Sequence, residues 1–157
     1  MLGVPHATGT EDHINANTAD TWYALIGLRL KSTHLGFSID TVAMHILSET
    51  SDDFEWALFL NPTVAGTFTY ADHDSAVQLA IGDTVGNPSA NTVTIGSAHA
   101  IARGFGSGSS TETGLAPLTL LKLGAAIDGT RDEIVMCVRP LGSNADYQGS
   151  IVWREVG

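Results

Sequence analysis

The sequence predicts an all-β chain, an antiparallel β-sandwich of jelly-roll or Greek-key type with about nine strands, and three observations carry that reading. Cutting the chain at its Gly, Pro, Asn and Asp clusters leaves short runs rich in Val, Ile, Leu, Thr and aromatics, most of them alternating apolar and polar residues. The densest run, Phe54-Glu55-Trp56-Ala57-Leu58-Phe59-Leu60, closes at Asn61-Pro62 and is followed at once by Gly66-Thr67-Phe68-Thr69-Tyr70, a strand, turn and strand pattern. The runs are unevenly spaced and show no fixed repeat, which fits a Greek-key path better than an up-and-down barrel.

Residues 1–20 are rich in Thr, Asn, Gly and His without periodicity, so they read as an N-terminal arm or linker, and residues 21–157 as the sandwich domain. The first strand expected is Trp22 to Lys31, with Ala24, Ile26, Leu28 and Leu30 on one face and Tyr23 and Leu25 on a second face available for contact. Ile39 to Glu49 follows; a helix competes there, but the β-branched residues favour a strand. Ser51-Asp52-Asp53 supplies a turn ahead of the Phe54 and Phe68 runs. Val77, Leu79 and Ile81 alternate in a segment from Ser75, and Gly82 to Ala90 reads as a loop. Asn91 to Arg103 reads as one long strand bent near Gly96. Gly104 to Gly114, almost entirely Gly, Ser and Thr, is expected to be the most flexible stretch. Leu118 to Leu123, Glu133 to Arg139 and Ser150 to Glu155 complete the set.

A chain of 157 residues suits one domain, and that size buries roughly two-thirds of the surface exposed on unfolding. With 43% hydrophobic and 15% charged residues the composition is that of a folded protein, and its 17 glycines fit turns. Seven Lys and Arg against 17 Asp and Glu give a formal charge of −10, which disfavours nucleic acid as a partner. No basic segment leads into an apolar stretch near the start, and no apolar run reaches membrane-spanning length, so neither a classical export signal nor membrane insertion is expected. The single Cys137 sits inside Ile134-Val135-Met136-Cys137-Val138 and reads as a small buried hydrophobe.

Motifs for catalysis are missing from the sequence. Gly104-Phe105-Gly106-Ser107-Gly108 lacks the Lys-Ser/Thr ending of a phosphate loop and the dinucleotide spacing, and no G-x-S-x-G elbow occurs. Asp52, Asp53 and Glu55 form the densest acidic group, yet ordinary turn chemistry outweighs a calcium site, and a solvated loop outweighs ligation at Asp72-His73-Asp74. The six histidines are dispersed, with no zinc-site spacing, so no metal and no cofactor is expected. Trp22, Trp56 and Trp153 are candidates for a sugar-stacking platform, although core packing is the stronger reading for Trp56. Arg139 and Arg154, late in their strands, are candidates for ion pairs, within the chain or across a subunit seam.

A family resemblance rests on Leu25-Ile26-Gly27-Leu28-Arg29-Leu30-Lys31, on Ser51-Asp52-Asp53-Phe54-Glu55-Trp56-Ala57-Leu58, and on Leu60-Asn61-Pro62-Thr63-Val64-Ala65-Gly66-Thr67-Phe68-Thr69-Tyr70. Arg131-Asp132-Glu133 and Gly149-Ser150-Ile151-Val152-Trp153-Arg154-Glu155 extend it. Together these segments resemble a module of tailed-bacteriophage virion proteins, the terminal domain of head-decoration, cement or fibre-like proteins. The resemblance implies a non-enzymatic structural protein on the virion exterior, a homotrimeric β-sandwich bound to the major capsid protein or another virion protein. A fibre-tip domain binding a host receptor or surface glycan is the alternative. The interface residues expected are Leu2, Val4 and Ile14 on the arm, Tyr23 and Leu25 on the first strand, and Leu118 and Leu120 in a run with little polar face.

Overall fold

The computed structural model of the chain describes residues 4–50, 52–73, 76–96, 98–108, 111–114, 122–123, 125, 129–143 and 145–157. It is an all-β protein in which two antiparallel sheets pack face to face. The strands, in chain order, are β1 (Pro5–Gly9), β2 (Ile14–Asn15), β3 (Tyr23–Leu30), β4 (Ser38–Ser48), β5 (Phe54–Leu60), β6 (Thr63–Val64) and β7 (Ala71–Asp72). They continue with β8 (Val77–Ile81), β9 (Val93–Thr94), β10 (His99–Gly106), β11 (Thr111–Gly114), β12 (Lys122–Leu123), β13 (Ile134–Pro140) and β14 (Asp146–Val156). One sheet runs β1-β14-β4-β11, with β2 also on β14 and β12 also on β4; the other runs β10-β5-β13-β3-β8-β7. No described helix is long and apolar enough to cross a membrane.

The core lies between the sheets. Strict alternation on β14 turns Tyr147, Ile151 and Trp153 inward, where they meet Met44 and Ile46 of β4 and Phe54, Leu58 and Met136 of the facing sheet. Gly149 continues that inward row because a Cβ there would collide with the Met136 methyl. On β3 the pairing slips between Met136 and Cys137, so that Leu25 bulges. The bulge breaks the period of two, and Tyr23 and Leu25 enter the core beside Ile26 and Leu28 instead of forming a second contact face.

The second sheet carries a smaller core on its outer side. Trp22, Ala24, Ala57, Phe59, Val93, Val135 and Cys137 are buried there, under Val64, Phe68 and Ile95 of the segment that folds back over the sheet. Phe68 and Tyr70 lie against the bare backbone of Gly27, where a Cβ would strike both rings. Their run therefore packs by its side chains and does not join a ladder, contrary to the strand expected over Gly66 to Tyr70. The long strand expected from Asn91 to Arg103 divides into β9 and β10 around Gly96, whose φ of +51° suits glycine.

The N-terminal segment is not a free arm. β1 pairs with β14 from Pro5↔Arg154 to Gly9↔Ser150, β2 pairs with the start of β14, and Ile14 and Ala16 are completely buried. The stretch expected to be most flexible is also largely built in, as Gly104 to Gly106 pair with β5 and Thr111 to Gly114 with β4. Gly104 is needed where it stands, because a Cβ would press into the Trp56 indole across the ladder.

Candidate functional site

The charged residues of the second sheet gather into two knots. On β5, alternation places Glu55 on the outer side, 5% exposed. Its Oε1 accepts a hydrogen bond from Arg139 Nε at 3.0 Å, and its Oε2 accepts from Arg103 Nε and Nη2 at 3.1 and 3.0 Å. Arg139 also reaches Asp20 at 2.7 Å, and both guanidinium groups flank the Trp22 ring at 5.6 and 5.9 Å. With both carboxylate oxygens occupied, Glu55 is a clamp holding β5, β10 and β13 in register, not a free acid. Glu55→Ala should cost about 3 kcal/mol, because it leaves the partly buried Arg139 without its inner partner. Urea unfolding checks this; an unchanged midpoint would show that the pair is merely superficial.

The second knot joins β3 to the Asn61–Tyr70 segment and to Glu133 ahead of β13. Arg29 donates to Glu133 Oε1 at 2.9 Å and to Gln78 Oε1 at 2.8 Å, while its guanidinium lies 4.2 Å above the Tyr70 ring. Burial first, then the nearby Glu133 carboxylate, pushes the Tyr70 hydroxyl pKa up. Asn61, at φ +55°, receives the Glu133 N–H on its side-chain oxygen and gives its own N–H to the Glu133 carbonyl. Arg29, Tyr70 and Glu133 line a cleft of about 410 Å³ together with Pro62 and Phe68.

The loop after β8 is held open in a fixed shape. Asp83 accepts backbone N–H bonds from Ala90, Gly86 and Val85 at 2.9 to 3.0 Å, and these bonds, the Ala90 one foremost, hold its carboxyl below the usual range. Buried Asn91 accepts from Asp83 N–H and donates to the Ala65 and Thr67 carbonyls, so the loop is tied to the covering segment. Val85 stands out from it, 91% exposed.

A third cluster was not legible from spacing. His13, Glu49 and Asp146 come from the β1–β2 connection, the end of β4 and the start of β14, and their ligand atoms all lie within 4.8 Å of one another. The ladder brings them there: β2 pairs with the start of β14, and Glu49 N–H donates to the Asp146 carbonyl at 2.9 Å.

Of the interface residues expected from the sequence, Ile14, Tyr23 and Leu25 are buried inside this chain and correct that expectation. The cause for Ile14 is the β2–β14 pairing; for Tyr23 and Leu25 it is the bulge. Val4, just ahead of β1, is 75% exposed, while Leu2, Leu118 and Leu120 lie outside the described residues. The tryptophans form no shared platform. Trp153 is in the main core, Trp56 is half-buried against it, and Trp22 is on the opposite side of the second sheet. Asp52, Asp53 and Glu55 do not converge, since Glu55 is turned to its arginines while Asp53 accepts the Gly108 N–H at 3.4 Å. Asp72 receives Gln78 and His73 leans on Trp153; Asp74 is outside the described residues. Cys137 is completely buried, and burial pushes its thiol pKa up, as befits a core residue.

The outer side of the β1-β14-β4 sheet differs from that of its neighbour. Val152 stands there between Ala7 and Ala43, with Leu47 opposite Gln148 further along, and among the described residues no second layer covers them. No family model matches the sequence, and no curated protein is similar to it at a level that would show a relationship.

Proposed function

We propose that this chain is a non-enzymatic structural protein of a tailed-bacteriophage particle, a head-decoration or cement protein that binds the coat lattice as a homotrimer. The observation that supports this reading is the set of family-like segments, which meet in the structure. Arg29, Asn61, Tyr70 and Glu133, drawn from three of those segments, form one knot, and Glu55 and Trp153 from two others anchor the two sheets. The resemblance thus lies in residues that hold the framework together, as expected of a module whose work is assembly.

The trimer would use the outer side of the β1-β14-β4 sheet, around Ala7, Ala43, Leu47 and Val152, because the corresponding side of the other sheet is already covered by the chain's own segment. Light scattering should give three times the 16.5 kDa chain mass, and Val152→Asp should return the mass to one chain while leaving the circular dichroism unchanged. A wild-type chain that stays monomeric at high micromolar concentration would reject the trimer.

The cleft between Arg29, Phe68, Tyr70 and Glu133, with the rigid Asp83 loop nearby in sequence, favours a second reading, a fibre-tip domain that holds a host glycan. Binding of the isolated domain to a glycan array, lost on Phe68→Ala, would select it over decoration.

A further inference from the structure

The geometry points to a divalent transition-metal site, zinc in class, formed by His13, Glu49 and Asp146. An imidazole nitrogen with two carboxylates is the donor set of zinc and its borderline neighbours, whereas calcium takes oxygen ligands alone. His13 Nδ1 lies 3.4 Å from Glu49 Oε2. Two ligands held about 2.0–2.1 Å from a tetrahedral zinc are themselves about 3.3 Å apart, so this pair is already at the spacing that one ion would bridge.

The carboxylates are also aimed. Gln148 Nε2 donates to Glu49 Oε1 at 2.7 Å, which leaves Oε2 turned to His13; Asn15 Nδ2 donates to Asp146 Oδ1 at 2.7 Å. Amide donors that occupy one oxygen and orient the other are the usual outer-shell support of metal-binding carboxylates. An independent observation comes from the other end of the Asn15 amide. Its Oδ1 is fully buried and has no hydrogen-bond donor. Exchanging the amide's oxygen and nitrogen would not relieve this, since it would set oxygen against the Asp146 carboxylate. That oxygen, on the amide that holds Asp146, is left to accept from a water. The formal charge of −10 adds a long-range attraction for such an ion.

Bound there, the ion would tie the β1–β2 connection to the ends of β4 and β14 and so fasten the N-terminal segment to the sandwich. This does not depend on the virion reading. The test uses the full-length untagged chain, stripped with a chelator and titrated with zinc sulfate by calorimetry and thermal melting. One zinc per chain at micromolar affinity, with a raised melting temperature, is expected. His13→Ala, in an exposed loop, should weaken binding at least tenfold and abolish the thermal shift, Glu49→Gln should weaken it similarly, and His99→Ala, an exposed histidine elsewhere, should do neither. Zinc binding unaffected by His13→Ala, absence of micromolar zinc binding, or calcium bound as tightly as zinc would each overturn the site.

Discussion

Trp153→Ala should destabilise the protein by roughly 3–5 kcal/mol, the usual cost of emptying a large aromatic site in a core. Trp153 is completely buried at the centre of β14, stacks on His6 at 5.7 Å and touches His73, and directs its indole N–H at Glu155 at 3.4 Å. Glu155, itself 7% exposed, accepts the Ala76 N–H at 3.2 Å and so stitches the two sheets together beside the ring. Removing the indole therefore opens a cavity and loosens that stitch. Urea unfolding should show the midpoint falling with little change in slope. The half-buried Trp56 should cost less when truncated, and the reverse order would mean that the core is centred on β5 and not on β14.

Deleting residues 1–16 should abolish cooperative folding. The deletion removes β1 and β2, strips the β14 edge between Asp146 and Arg154 of its partners, and takes away buried Ile14 and Ala16. Losing the Ile14 side chain alone costs about 2–5 kcal/mol, and the whole stability of a domain is only about 5–15 kcal/mol. Circular dichroism and a thermal melt of the truncated chain check this. A sharp transition near that of the full chain would restore the segment to the status of a detachable arm.

That contrast shows where the sequence was readable. β3, β4, β5, β8 and β13 fall within a residue or two of the runs expected, because each alternates or is apolar throughout and is bounded by turn residues. β1 was hidden because Pro5, Ala7 and Gly9 are poor strand formers; their pairing is imposed by the long neighbouring β14. β14 itself begins at Asp146, four residues ahead of the expectation, since Gly149 looks like a breaker and is instead a close-packing position against Met136. The bulge at Leu25 leaves no trace in composition, so the faces assigned to Tyr23 and Leu25 were reversed.

The charged clusters divide the same way. Glu55 inside an apolar run and Arg139 at the end of another were visible as oddities, and a buried acid needs a cationic partner. Their pairing could be anticipated, though not the second guanidinium from Arg103. His13, Glu49 and Asp146 share no motif, because sheet register and not sequence spacing unites them. Cross-strand sites of this kind become legible only once the pairing is known.

The proposed decoration role is tested most directly by a cryo-electron microscopy map of the phage particle that this chain is proposed to decorate. The expected result is density for three copies of the sandwich, in contact through the β1-β14-β4 sheet, seated on three-fold or quasi-three-fold positions of the capsid. Density for the chain only at the tail tip, or no density on the particle, would contradict it.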